Sequence, residues 1–188
     1  MFDYQGEGVL YLAEASDGKS ALIGIAERNG RFVQLVPMAG GAPTVVVEGR
    51  VSLVTARVSP DGRWLAFTST KSGQPQVYVS PIPASGEQWQ VSASGGEHPQ
   101  WRGDGRELFY IAPDGSMMST SITADSKFDF TAPRVLFKTG LIADEFSQRF
   151  VATADGNRFL FNMLPEGDKA APTTTLRVIL NWADGLAR

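Results

Sequence analysis

Short apolar runs, separated by turns rich in Gly, Asp and Pro, follow one another along almost the whole chain. The clearest pattern lies in residues 176–182, where Leu, Val, Leu and Trp alternate with Arg, Ile and Asn. A period of two is typical of a pleated strand, because successive side chains point to opposite faces. Almost no segment has the period of a helix, so the pattern predicts an all-β fold.

The predicted strands are short and come in four groups, with Gly, Pro, Asp and Ser marking the turns between them. In the first group, residues 31–37 and 43–47 are both strand-like, and one of them is predicted to be an additional outer strand. The predicted strands are 9–13, 21–26 and a last strand within 32–47; 53–58, 64–68, 76–80 and 89–92; 99–101, 107–112, 117–122 and 134–138; and 148–152, 158–163 and 176–182.

Three ten-residue segments, 58–67, 101–110 and 152–161, align with one another without a gap. Each holds an Asp-Gly pair between two apolar stretches. Asp can bond its own backbone two residues further on, and Gly adopts positive φ without steric cost, so the pair favours a tight hairpin. The three pairs are Asp61-Gly62, Asp104-Gly105 and Asp155-Gly156.

The spacing of these pairs, 43 and 51 residues, matches the period of a known repeat architecture. Propeller blades repeat every roughly 40–50 residues. We therefore predict a β-propeller of four-stranded antiparallel blades, with about four blades in a single region, 1–188. The predicted blades are roughly 5–50, 51–96, 97–140 and 141–188.

Both ends of the predicted propeller lack a strand. Alignment of Gly6 with Gly62 makes residues 9–13 the second strand of the first blade, and no strand follows Trp182 in the last blade. An incomplete part of a larger propeller is the favoured interpretation; a four-bladed ring closed by the N-terminal strand and two chains that complete one another are the alternatives. Because unpaired edges invite pairing, self-association through these strands is expected.

The composition, with 43% hydrophobic and 20% charged residues, is that of a globular protein. A net charge of −3 disfavours nucleic acid as a partner, because phosphate binding needs Lys and Arg in excess. The chain has no Cys, so disulfides and Cys-based metal sites are excluded, and no cofactor is expected. The first residues do not form a signal peptide, and no run approaches the ~18 apolar residues of a membrane span, so membrane insertion is not expected.

Aromatic residues recur on the second strand of each repeat, where side chains are expected to pack one blade against the next. Such residues bury about 150–250 Å² each and supply much of the stabilisation. Trp101, just before its Asp-Gly pair, is expected to belong to the same core. The second-strand aromatic residues are Trp64, Phe67, Phe109, Tyr110, Phe159 and Phe161.

Four segments, 58–69, 77–81, 89–92 and 99–110, resemble the TolB-type (WD40-like) propeller repeat. Together with residues 178–186 they also resemble the C-terminal propeller region of bacterial serine/threonine protein kinases. The resemblance implies a sensor or scaffold domain, periplasmic or extracytoplasmic if it holds and cytoplasmic if the chain is complete as given. The chain has no kinase motifs of its own.

The residues offer little support for catalysis. His98 is the only histidine and would have to be the base of any Ser-His-Asp triad, but the Gly-x-Ser-x-Gly elbow is absent. No metal site is predicted, because Asp125, Asp129 and Asp144 lack the spacing of a calcium loop. The Gly40-Gly41 and Gly95-Gly96 pairs are interpreted as loops between blades, since neither opens a helix or precedes a Walker Lys.

Better candidates for binding come from the inner strands, which line a propeller's channel. Counting back from the Asp-Gly pairs, two positions recur with polar residues, which suggests a polar channel lining or rim; ordinary solvation is the alternative interpretation. The candidates are Thr55, His98 and Arg149 at one position, and Arg57 and Gln100, equivalent to Val151, at the other.

Two functions remain open. The first is a noncatalytic module that binds protein or another ligand, as the sensor or scaffold part of a larger bacterial protein such as a receptor-type kinase. The alternative is the substrate-gating propeller of a prolyl-oligopeptidase-like hydrolase, or a TolB-like periplasmic interaction protein. The ending, residues 181–188, has the character of a natural terminus and favours the first.

We expect the purified chain to show no hydrolase or kinase turnover, because the sequence lacks the nucleophile elbow and the kinase motifs. Assays with ester, peptide and ATP substrates check this expectation. Turnover that disappears in a His98→Ala variant would contradict it.

Overall fold

The structure is a computed structural model that describes residues 9–14, 19–27, 30–49, 55–124, 127–141, 150–163 and 175–179. Within these ranges the regular elements are all β-strands, joined by turns and bends. No helix of the described part is long and apolar enough to cross a membrane.

The strands form four antiparallel sheets, each made from a continuous stretch of chain. The first sheet contains β1 (Val9–Glu14), β2 (Ser20–Glu27), β3 (Gly30–Pro37) and β4 (Thr44–Glu48); the second contains β5 (Arg57–Val58), β6 (Trp64–Ser69), β7 (Gln76–Pro81) and β8 (Trp89–Gln90). The third contains β9 (Glu97–Trp101), β10 (Glu107–Ile111), β11 (Ser116–Thr123), β12 (Asp129–Phe130) and β13 (Arg134–Lys138); the fourth contains β14 (Phe150–Ala152), β15 (Phe159–Met163) and β16 (Thr175–Ile179).

Consecutive strands pair with each other, except that β12 and β13 both pair with β11. The first strand of the third sheet, β9, lies against the first strands of both neighbouring sheets, β5 and β14. This is the radial arrangement of propeller blades. The prediction of an all-β, incomplete propeller with antiparallel blades is confirmed.

In the first sheet, both strand-like segments of the sequence, 31–37 and 43–47, form strands, β3 and β4. Gly6, from which residues 9–13 were aligned with the second strand of a blade, lies outside the described residues, so that alignment stays a prediction. In the described residues β1 pairs with β2 and not with β16, so they do not show a ring closed by the N-terminal strand.

Other differences concern connections and short strands. Gly40-Gly41 joins β3 to β4 inside the first sheet, so its interpretation as a loop between blades is wrong, whereas Gly95-Gly96 does lie between the second and third sheets. The two-residue β12 was not predicted, because so short a strand has no readable period. Residues 180–182 of the last predicted strand lie outside the described residues.

The core consists of apolar clusters between neighbouring sheets. Along β6, Leu65 and Phe67 face the first sheet while Ala66 faces the third, as the alternation of a strand requires. The predicted aromatic packing is confirmed for the second strands, although Trp64 is only half-buried. The fully buried aromatic side chains on these strands are Phe67, Phe109, Tyr110, Phe159 and Phe161.

The three predicted turns are confirmed in detail, and we name them the first hairpin (59–64), the second hairpin (102–107) and the third hairpin (153–158). In each one, the glycine N–H donates to the carbonyl three residues back at 2.9 Å. The glycine φ values are 76°, 72° and 73°. In each hairpin the Asp Oδ1 accepts the N–H two residues further on, at 3.0–3.1 Å, from Arg63, Arg106 and Asn157.

We expect Gly105→Ala to destabilise the fold by about 1–2 kcal/mol, because φ of 72° is costly for a residue with a Cβ. The added Cβ would lie 3.6 Å from Pro60, an ordinary contact, so backbone strain is the only cost. Urea unfolding measures the change in free energy.

The control is Lys127→Ala, an exposed change that should stay within about 0.5 kcal/mol. Lys71 is unsuitable as a control, because its Nζ lies 3.9 Å from the centre of the Tyr78 ring and bonds to Gln88. Equal stabilities of Gly105→Ala and the control would contradict the hairpin assignment.

Candidate functional site

A pocket of about 300 Å³ lies where the first strands of three blades converge. We call it the channel pocket. Side chains or backbone from β5, β9, β14 and all three hairpins contribute to its walls. It is lined by Arg57, Pro60, Gln100, Trp101, Gly103, Ala152 and Ala154.

Two of the predicted site residues meet in the channel pocket. Arg57 and Gln100 occupy equivalent positions on β5 and β9, and both are half-buried. The Arg57 Nη1 donates to the Ala56 carbonyl at 2.7 Å, which orients the guanidinium. Val151, the equivalent residue of the fourth sheet, is 47% exposed and does not line the pocket.

Trp101 forms one wall of the channel pocket. Its indole Nε1 donates to the Arg57 carbonyl at 3.0 Å, and the half-buried ring also packs against the cluster between the second and third sheets. The sequence predicts that Trp101 belongs to the core between blades, and it does not predict that the ring also lines a pocket. The sequence signal was available, since the equivalent positions in the other copies hold the smaller Val58 and Ala152.

The base of the channel pocket is fixed by contact between the second and third hairpins. The Gly103 N–H donates to the Ala154 carbonyl at 2.8 Å, and a Cβ on Gly103 would lie 2.8 Å from the Ala154 Cβ. Only glycine permits this approach. Sequence reasoning missed Gly103, because the restriction comes from a neighbouring blade and not from the turn itself.

The remaining candidates are not brought into this pocket. Thr55 and His98 lie at the starts of the inner strands, away from the hairpins, and are 2% and 1% exposed. Both residues are therefore buried, and their role as channel or rim residues stays a prediction. Arg149 falls outside the described residues.

A bulge accounts for the position of His98. Gln100 pairs with Phe109 and Glu97 with Ile111, so β9 contains one residue more than its partner. His98 has φ of 58°, a left-handed conformation that is uncommon for residues other than glycine. The bulge breaks the alternation from which the equivalence of His98 with Thr55 was drawn.

A larger pocket, of about 470 Å³, lies between the first and second hairpins and the end of β11. We call it the hairpin pocket. The hairpin pocket is lined by Ser59, Asp61, Arg63, Trp64, Asp104, Gly105, Arg106, Ile122, Thr123 and Ala124. The first and second hairpins therefore contribute to two pockets.

The carboxylates of the hairpin pocket are held ionised by their hydrogen bonds. Burial opposes ionisation of Asp61, but hydrogen bonds from Ser59 and Arg63 outweigh it and lower its pKa. Two hydrogen bonds from Arg102, at 2.7 and 2.8 Å, lower the pKa of Asp104 to about 2. The same pairing raises the pKa of the Arg102 guanidinium.

Glu107 supports the second hairpin from beneath. Its buried carboxylate pairs with Arg102 at 3.0 Å, accepts from Ser119 and lies 3.4 Å from Arg134 on β13. These contacts connect the turn to the far side of its own blade. The arrangement in both pockets can hold a ligand by hydrogen bonds and charge, and His98 lines neither pocket.

Comparison with known proteins places the fold in a class. No family model matches the chain. The structure is similar to TolB from Acinetobacter baumannii, with a TM-score of 0.70 and 16% identity over 93% of this chain and 41% of that one. It is also similar to the tricorn protease, with a TM-score of 0.65 and 10% identity over 96% of this chain and 22% of that one. The chain has a TolB-like β-propeller fold.

A curated relative shows similarity in sequence as well. Tricorn protease homolog 1 of Streptomyces coelicolor is 37% identical over 79 residues, which are 40% of this chain. The match spans 7% of that relative's length. The likeness therefore concerns a small part of a much longer protein.

We expect acid to remove the stabilisation that the Arg102–Asp104 pair provides. The folded pKa of about 2 lies below the ordinary 3.8, so this contribution is present above about pH 4 and is lost as the pH falls towards 2. Urea unfolding of the wild type and of Asp104→Asn, between about pH 7 and pH 2.5, measures it.

The stability difference between the two proteins should shrink as the pH falls through this range. Glu48→Gln, the same chemical change at an exposed carboxylate, is the control. A difference between wild type and Asp104→Asn that is constant with pH would contradict the assignment.

Proposed function

We propose that this chain is a noncatalytic binding module that holds a segment of protein or peptide in the channel pocket. The observation that carries the proposal is the meeting of Arg57, Gln100 and Trp101 at the convergence of three blades. A site assembled from several blades is well suited to recognition, because each blade contributes a different side chain at an equivalent position.

The lining favours a polypeptide ligand. Gln100 can donate and accept hydrogen bonds and Arg57 donates them, which matches the amide groups of a peptide backbone. Trp101 and Pro60 offer apolar surface beside these groups. Arg and Trp are the residue types that contribute most to protein interfaces. None of the described residues that line the pocket carries a carboxylate, so an acidic segment meets no repulsion from them.

The module is proposed to serve a larger bacterial protein. The TolB-like fold supports an interaction role, and the segments that resemble kinase propellers favour the sensor part of a receptor-type serine/threonine kinase. An extracytoplasmic location accompanies this proposal. Self-association is proposed through β16, which has β15 as its partner within the described residues.

A second candidate is a substrate-gating propeller of a peptidase. The 37% identity to Tricorn protease homolog 1 favours it, because this likeness is one of sequence and not of fold alone. Under this alternative the channel pocket contacts a peptide on its way to a catalytic domain. Binding of peptide is common to both functions, and cleavage by the parent protein distinguishes them.

Selection of phage-displayed peptides against the chain, followed by calorimetry of the selected sequences, tests the proposal. Arg57→Ala should weaken binding about tenfold or more, since truncation of a central arginine commonly costs above 1 kcal/mol. Gln100→Ala should act in the same direction.

Arg31→Ala, an exposed arginine on β3 outside both pockets, is the matched control. Peptides that bind Arg57→Ala and wild type equally would contradict the proposed site. Incubation of the full-length parent with the selected peptides then decides between the candidates. Cleavage that is reduced by Arg57→Ala would favour gating.

A further inference from the structure

The hairpin pocket has two carboxylates in its lining, but both are already engaged. Asp61 Oδ2 lies 2.7 Å from Arg63 Nε, and its Oδ1 accepts from Ser59 and from the Arg63 N–H. Asp104 is held by the two bonds from Arg102. Each carboxylate of the lining is therefore paired with a guanidinium, although Arg102 is shared with Glu107.

Arg63 also connects two walls of the pocket. Its Nη2 donates to the Ala124 carbonyl at 2.7 Å, so the first hairpin is tied to the end of β11 in the next blade. One side chain thus neutralises Asp61 and fixes the distance between two walls.

Arg106 differs from Arg63, although the two occupy equivalent positions two residues after the Asp. In the first hairpin the residue two before the Asp is Ser59, so Arg63 supplies the cation. In the second hairpin that position is Arg102, which pairs with Asp104 itself. The Arg106 side chain is therefore not required for the turn, although its N–H bonds to Asp104. Within the described residues its exposed guanidinium makes no hydrogen bond or close ion pair, and its attraction to Asp104 acts at longer range.

Arg106 and Trp64 contribute different surfaces to the pocket lining. A guanidinium carries five donors and no acceptor, so Arg106 favours an anion. The half-buried Trp64 ring and the Ile122 side chain give the same pocket an apolar wall. The Trp64 Nε1 is itself buried, so the ring and not its N–H faces a ligand.

We propose that the hairpin pocket binds a carboxylate group attached to an apolar or aromatic body, with Arg106 as its ion-pair partner. Arg63 offsets the charge of Asp61. Arg102 and Arg134 together offset Asp104 and Glu107, so the Arg106 charge remains in excess. A planar carboxylate fits the fork of a guanidinium with two parallel hydrogen bonds. The apolar body lies against Trp64 and Ile122.

A carboxylate is favoured over a phosphate by the charges that line the pocket. Asp61 and Asp104 both have lowered pKa values and are ionised at neutral pH. A phosphate group carries close to two negative charges there, so both carboxylates repel it more strongly than a singly charged ligand. This site is independent of the channel pocket, and neither proposal rests on the other.

Two carboxylate probes test the site: phenylacetate and acetyl-Phe-Asp-amide, each compared with its uncharged amide counterpart. The readout is the indole N–H and arginine Nε–H signals in ¹⁵N-resolved NMR at low salt, assigned with Trp64→Phe and Arg106→Lys. The carboxylates should shift the Trp64 and Arg106 signals, and the amides should not. Binding should weaken as salt is added, because the pair is exposed.

The variants separate a specific ion pair from general charge. Arg106→Gln should weaken binding about tenfold or more, since hydrogen bonds to charged groups are worth more than neutral ones. Arg158→Gln removes the same charge from an exposed arginine of the third hairpin and should change the affinity by less than about twofold. Arg106→Lys, which keeps the charge and guards against a folding defect, should give an intermediate affinity.

The outcomes are distinct. Binding of phenylacetate alone assigns a small-molecule carboxylate, and binding of the peptide alone assigns an acidic side chain of a polypeptide; both support the site. The proposal is overturned if neither probe binds, if the amides bind as well as the carboxylates, or if Arg158→Gln weakens binding as much as Arg106→Gln. Tighter binding of phenyl phosphate than of phenylacetate would also overturn it.

Discussion

Burial of both faces of the central sheets is the constraint on which the rest of the molecule depends. Leu65 and Ala66 are neighbours in sequence but belong to clusters on opposite sides of the second sheet, and Leu108 and Phe109 do the same in the third. A single blade would leave both of these faces in water, so each blade needs its neighbours. Stacking blades side by side in this way brings their first strands together, and with them the turns that end those strands.

Because the first strands converge, the hairpins have two structural roles. They reverse the chain, and their tips approach so closely that Gly103 meets Ala154 and Gly105 meets Pro60. The first and second hairpins contribute residues to both the channel pocket and the hairpin pocket. Much of the chemistry of both pockets is therefore decided by residues within a few positions of an Asp-Gly pair, although the channel pocket also involves the third hairpin.

What could be predicted from sequence is what depends on local geometry. The positive φ of Gly62, Gly105 and Gly156 and most strands inside the repeats follow from turn chemistry and period. What depends on the distance between blades was missed. Trp101 was assigned to the core and not to a pocket wall, and Gly103 carried no signal at all. The bulge that buries His98 also could not be predicted, because a register shift is a property of two strands together.

The residues around the candidate sites fall into two groups, those that recur in every repeat and those that differ between repeats. The residues that recur in every copy are the Asp and the Gly, and their hydrogen bonds and backbone conformation are used to form the turn. Residues that differ between copies are left for other contacts: Arg57, Gln100 and Val151 share one position, and Ser59, Arg102 and Thr153 share another. Where the second position holds Ser59, the Asp of the turn pairs with the arginine that follows it, Arg63. Where it holds Arg102, that residue pairs with the Asp and the following arginine is not needed. Exchange of a residue beside a hairpin can therefore change the lining of a pocket, while the hairpin and the packing behind it remain unchanged.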